Sequence, residues 1–208
     1  MTVVEVLTQV RAHLKMVESA LADVKGANPG KRMPGWSNVT VWGRSVTSAL
    51  QRLRSAAAPG AFDKWYEPWR TEMANDPLMR WVYQERSNIL KAAKQSKLTV
   101  SGTFTVDTNK LPLNNPPPGA RNFILGDLFG GSGWEIELPD GTTEMHYVEL
   151  PEGIMVDCKS HLPEAPKQHL GAVLPDNSME TVATAYVVYL RRLCASASEV
   201  FGQTNQHV

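Results

Sequence analysis

Residues 76–95, DPLMRWVYQERSNILKAAKQ, decide the fold, because they read as one strongly specified helix with a charge on its apolar side. Asp76 is a good N-cap, and Pro77 at the first helical position has the fixed φ and missing N–H that suit it. At about 100° per residue, Leu78, Met79, Trp81, Val82, Tyr83, Ile89, Leu90, Ala92 and Ala93 fall on one broad face. Glu85 and Arg86 fall inside that face, whereas Arg80, Gln84, Ser87, Asn88, Lys91, Lys94 and Gln95 lie opposite. A guanidinium directed at a core needs a specific partner. The expected partner is an acid near Glu85 or on another helix, forming a buried ion pair that fixes register; a bound ligand is the alternative.

Helical periods flank this stretch. Val3, Leu7, Val10, Leu14, Val17, Leu21 and Val24 repeat at spacings of four and three, an a/d seam closed by Gly26. Packing within a helix bundle is its first meaning, and a dimeric coiled coil its second. GANPGKRMPG (26–35) reads as a turn-rich connector, after which Ser37 is expected to cap a helix running to about Ala57. Its inner side carries Val41, Ser45, Val46, Ala49, Leu50 and Leu53. A third helix over 61–74 presents Phe62, Trp65, Trp69 and Met73 on one face, with Pro68 expected to kink or divide it. Such aromatics build cores more often than ligand boxes.

After Lys97 the period changes from helical to alternating. Leu98–Val106 reads as a strand, Asn114–Gly119 as a rigid loop, and Phe123–Leu125 as an extended segment. Trp134–Leu138 and Thr143–Leu150, joined by Pro139-Asp140-Gly141-Thr142, form the clearest hairpin, and Ile154–Cys158 adds a short strand. Helical period returns from Asn177 to about Phe201, with Val182, Ala185, Tyr186, Tyr189, Leu190 and Leu193 inward. The expected architecture is α+β: an antiparallel helical bundle of four to five helices, with a small antiparallel β-sheet inserted before the C-terminal helix. Its parts are a bundle over 1–97, a β-rich insertion over 98–160, a loop over 161–176, and a closing helix over 177–202.

The 208 residues allow one full core, and 42% hydrophobic with 20% charged residues is ordinary for a globular protein. No apolar run approaches the roughly 18 residues of a membrane span, and the N-terminus lacks a basic region before an apolar stretch. With only Cys158 and Cys194, a reducing, cytoplasmic location with free thiols is expected. Net charge is zero but uneven: residues 1–121 carry 17 Lys/Arg against 9 Asp/Glu, and residues 122–208 carry 4 against 12. Such asymmetry marks either a nucleic-acid face on the basic half or two halves that attract each other.

Trp65-Tyr66, then Asp76-Pro77-Leu78-Met79-Arg80, then Glu85-Arg86-Ser87-Asn88-Ile89-Leu90-Lys91 together resemble the bacterial HEPN-like proteins over roughly residues 40–95. That resemblance implies a four-helix bundle, homodimerisation, a bacterial or phage origin, and a setting in stress response or defence. In active members an Arg and a His form a metal-independent ribonuclease site across the dimer. Here the position of the His holds Lys91, and an exposed Lys titrates far above the range that suits general acid–base work.

The preferred expectation is therefore a non-enzymatic HEPN-like protein that binds a protein or RNA partner. Arg80, Arg86, Lys91 and Lys94 are its candidate binding residues; Arg80, Lys91, Lys94 and Lys97 are the candidate phosphate contacts, and a solvated helix face is the competing meaning of those four. A divergent ribonuclease using Arg86 and Lys91 is the alternative. A third reading gives the work to the β insertion, through Trp134, Tyr147 and the Gly130 loop. Asp157, Cys158, His161 and His169 cluster in sequence but lack paired ligand spacing, and Gly130-Gly131-Ser132-Gly133 lacks the Lys-Ser/Thr of a phosphate loop. No metal or cofactor is expected.

Overall fold

A computed structural model describes residues 1–92, 96–112 and 115–202. Ala93, Lys94 and Gln95 of the expected helix, and Asn114 of the expected loop, lie outside the described residues. The helices are α1 (Val3–Lys25), α2 (Arg32–Leu50), the single turn α3 (Leu53–Ala56), α4 (Ala61–Asn75), α5 (Pro77–Ala92) and α6 (Met179–Gly202). The α+β class and the helical bundle are as expected.

Helix α1 begins with a reciprocal cap: the Thr2 hydroxyl accepts from the Glu5 N–H, and the Glu5 carboxylate accepts from the Thr2 N–H. Its seam is spent inside the chain. Val6, Leu7, Val10, Val17, Leu21 and Val24 are buried, with Val3 and Leu14 packed at the margin, against α2 and α6. Both neighbours run antiparallel to α1. Gly35 near the start of α2 lies so close to the end of α1 that a Cβ there would sit 2.9 Å from the Ala20 carbonyl oxygen, while Arg52 reaches back to Gln9. Along α6, Glu180 pairs with Lys25, Arg191 with Glu18, and Gly202 lies against Leu7.

Two helical expectations need correcting. Ser37 is not a cap: α2 starts at Arg32, because Pro34 falls in the first turn where its missing N–H is not needed. Trp36, fully buried, is thereby turned into the core. Pro68 does not divide α4, which runs unbroken through it. Pro68 and Lys64 are both exposed, so the Lys64 carbonyl that loses its partner faces water.

The β block is not one sheet. Among the described residues, β1 (Thr99–Thr105) pairs with β5 (Met155–His161) alone, and β2 (Ala120–Ile124), β3 (Gly133–Glu137) and β4 (Thr143–Tyr147) form a separate antiparallel sheet in that order. Every residue of β1 is exposed, including Val100 and Phe104, which share one face of the strand. The expected 161–176 loop contains a third small hairpin, β6 (Gln168–His169) and β7 (Ala172–Val173). Its turn places Leu170 at φ 51° and Gly171 at φ 78°, a conformation unfavourable for a leucine. Asp76 holds it there.

Asp76 is buried at the start of α5 and accepts from the Met79 N–H at 2.8 Å, the Leu170 N–H at 2.6 Å and His169 Nδ1 at 3.1 Å. Burial alone pushes its pKa up, but the Leu170, Met79 and His169 bonds outweigh that and leave it below 3.8. One carboxylate thus caps a helix and pins a strained turn. Replacing Asp76 by Asn should cost about 1–2 kcal/mol near neutral pH, measured by urea unfolding. Because the folded pKa is depressed, this contribution is full above 3.8 and fades as pH falls through the lower folded value. The gap between wild type and Asp76→Asn should therefore close in acid.

Candidate functional site

A cleft of about 440 Å³ opens between α2, α4 and α5, with α6 beneath it. Helix α2 contributes Thr40, Arg44 and Thr47 at i, i+4 and i+7 spacing, and Gln51 just beyond its end. From α4 come Tyr66, Arg70, Met73 and Ala74; from α5 come Met79, Arg80, Val82, Tyr83 and Arg86. Tyr186 of α6 closes the floor against Gly43, where a Cβ would lie 2.5 Å from the ring. Only the absence of a side chain at Gly43 lets the tyrosine reach this place.

Among the described residues, four arginines line the cleft and no carboxylate does. Arg70 pairs with Glu67 on the exposed surface of its own helix at 2.8 Å. Arg44 donates to the Thr47 hydroxyl at 3.1 Å. Arg80 and Arg86 form no ion pair with any described residue, and Arg86 Nε, shut off from solvent, has no hydrogen-bond partner among them. Among the described residues, the expected buried ion pair at Arg86 is therefore absent. The reason is helical geometry: Glu85, about 100° round the helix, points away and is bound by the Ser96 hydroxyl and Asn88. Ser96 in turn accepts from the indole of Trp36 at 2.9 Å, so the nearest acid is already engaged.

Tyr186 records the field of the inner arginines. Burial pushes its phenol pKa up, and the charges of Arg44 and Arg86 pull the other way. Both guanidinium groups thus act on one hydroxyl at the bottom of the cleft. Unpaired cations in a partly enclosed, mostly apolar space attract an anion, and the planar fork of Arg matches phosphate or carboxylate oxygens.

The expected site residues part company here. Arg80 and Arg86 share the cleft. Lys91 is exposed and does not line it, and Lys94 lies outside the described residues. Trp134 and Tyr147 do not form one site. Trp134 pairs with His146 across β3 and β4, so Tyr147, one residue on, points to the opposite face. Trp134 packs edge-on against Phe123, beside Pro116–Pro118. Tyr147 donates to Asp127 at 2.6 Å and covers Gly131, fastening the β block to the turn at Gly30. The Gly130 loop thus meets Tyr147 at Gly131, and Arg32 and Cys158 at Gly130, away from Trp134. Among the described residues, no three His, Cys, Asp or Glu side chains are placed to hold a metal ion. His161 is bound by Ser101 and Asn177, and His169 by Asp76.

Sequence reading missed Arg44, Arg70 and Tyr186 as site residues. The polar stripe Thr40-Arg44-Thr47-Gln51 was a signal, since it repeats at helical spacing as the apolar positions do. Tyr186 carried none, because a cleft floor and a core position look alike in sequence.

Residues 39–107 match the family model for bacteriophage lambda protein ea47, about a third of the chain. No curated protein and no solved structure matches. Every cleft-lining residue except Tyr186 falls within the matched segment.

A guanidinium without a partner is a burden to the empty protein. Arg86→Met, similar in length and uncharged, should leave stability unchanged or raise it by up to about 1 kcal/mol in thermal or urea unfolding. A register-fixing ion pair would instead make the same change strongly destabilising.

Proposed function

We propose that this protein works by binding rather than catalysis, and that it takes a phosphate-bearing ligand or partner in the arginine cleft. The observation that carries this reading is Arg86: a guanidinium with a solvent-shielded, unpartnered Nε, beside Arg44 and Arg80, in a cleft lined by no acid. A HEPN-like bundle and an RNA partner are consistent with it, since an RNA supplies the phosphate. The match to a phage family over the cleft-forming segment supports a phage or bacterial setting. Two free cysteines suit a reducing cytoplasm. Homodimerisation rests on the HEPN resemblance alone, and uses a surface other than the Val3–Val24 seam, which the bundle consumes.

Cleavage of RNA is the weaker reading for a chemical reason. The lining residues include no imidazole, carboxylate or lysine, so none of them shuttles a proton near neutrality. Arginine stays charged and tyrosine stays protonated.

The test is isothermal titration of the purified chain with pyrophosphate and with a single-stranded RNA pool, without metal, beside a gel assay for RNA cleavage. Binding of either anion is expected, with loss of at least tenfold in Arg86→Met and Arg44→Met and no change in Lys91→Ala. The labelled RNA should remain intact. Failure of both anions to bind would end the cleft reading, and cleavage lost in Arg86→Met would restore the nuclease.

A further inference from the structure

The cleft has more shape than an anion alone would use. The cleft's four arginines differ in exposure: Arg44 and Arg86 are half-buried near Tyr186, while Arg80 and the Glu67-paired Arg70 are exposed. Between them the wall is carbon, from Met73, Met79 and Val82. Tyr83 stands at the mouth of the cleft with 58% of its surface exposed, above the buried Leu78 and Val82 of the same helix. A bare phosphate would engage the arginines and leave this wall and ring wet.

We infer that the occupant is a small free nucleotide, its phosphate on Arg44 and Arg86 and its base against Tyr83 and the methionine wall. This rests on the proposed anion-binding role of the cleft and adds the chemical class of the ligand. The volume of about 440 Å³ lies within the range of about 300–1,000 Å³ that holds small organic ligands. A flat base stacks on an exposed tyrosine, and thioethers pack well against aromatic edges. One anion site beside one aromatic wall complements one nucleotide. A nucleic-acid strand needs a continuing track of cations and rings, and the next cation along α5, Lys91, does not line the cleft.

The full chain is titrated calorimetrically with AMP, GMP, CMP and UMP, with inorganic phosphate, with the four nucleosides, and with a ten-residue single-stranded RNA. At least one mononucleotide should bind tenfold or more tightly than both phosphate and its own nucleoside, and no weaker than the RNA. Tyr83→Ala, at an exposed position that should not disturb folding, should cost that mononucleotide about tenfold more affinity than it costs phosphate. Mononucleotides no tighter than phosphate would overturn the inference while leaving the anion cleft standing. RNA binding tenfold tighter than any mononucleotide would overturn it in favour of a strand. Silence from every probe would remove the cleft reading itself.

Discussion

Burial of the α1 seam on two sides at once is the constraint from which the rest of the bundle follows. Val6, Leu7, Val10, Val17, Leu21 and Val24 must face both α2 and α6, and each such side chain contributes on the order of 1.5–3 kcal/mol. The ion pairs along the same boundary, Lys25–Glu180 and Arg191–Glu18, are exposed enough to add about 0–1 kcal/mol each. Apolar burial therefore sets the position of α6, and the pairs tune its register. Once α6 is set, Tyr186 lies under Gly43, and the cleft acquires its floor.

The contrast between Glu85 and Arg86 shows what that cleft costs. Both residues break the apolar face of α5, and both are sequence-level inconsistencies of the kind that gather at functional sites. Glu85 is satisfied within the fold: Ser96 and Asn88 bind its carboxylate, and the Trp36 indole binds Ser96. Arg86 lines the cleft, and its shielded Nε has no partner among the described residues. A fold that supplies two partners to one charge and no carboxylate to its neighbour has kept the second available.

The legible parts of the fold were those with long periods. The α1 seam, the Asp76-Pro77 start of α5 and the inward residues of α6 follow from repeats of 3.5–3.6 residues, and one face of each was enough to place it. Ser37 misled because Ser is a good cap in isolation, while Pro34 in a first turn is just as good a start. The β6–β7 hairpin escaped because its turn uses Leu170 where glycine or asparagine would announce it, and its support is a carboxylate 94 residues earlier. The site was half legible. Arg86 was visible as a charge out of place, but its surroundings depend on which helices meet around it, and Trp134 and Tyr147 looked adjacent until strand alternation put them on opposite faces.

The uneven charge of the chain finds its meaning in the same geometry. Cations of the first half meet acids of the second at Lys25–Glu180, Lys97–Glu164 and Arg121–Glu137, and Arg32 donates to the Phe129 carbonyl. Two further pairs, Arg191–Glu18 and Arg192–Glu72, join the halves along the bundle with the charges reversed. None of the described ion pairs brings an acid of the second half to Arg44, Arg80 or Arg86. The second half therefore offsets the net charge of the molecule without neutralising the cleft. Within about 10 Å, the screening distance at ordinary salt, a ligand senses the local excess and not the total. A chain of zero net charge can thus present a positive site, and does so at Arg44, Arg80 and Arg86, which no described acid pairs.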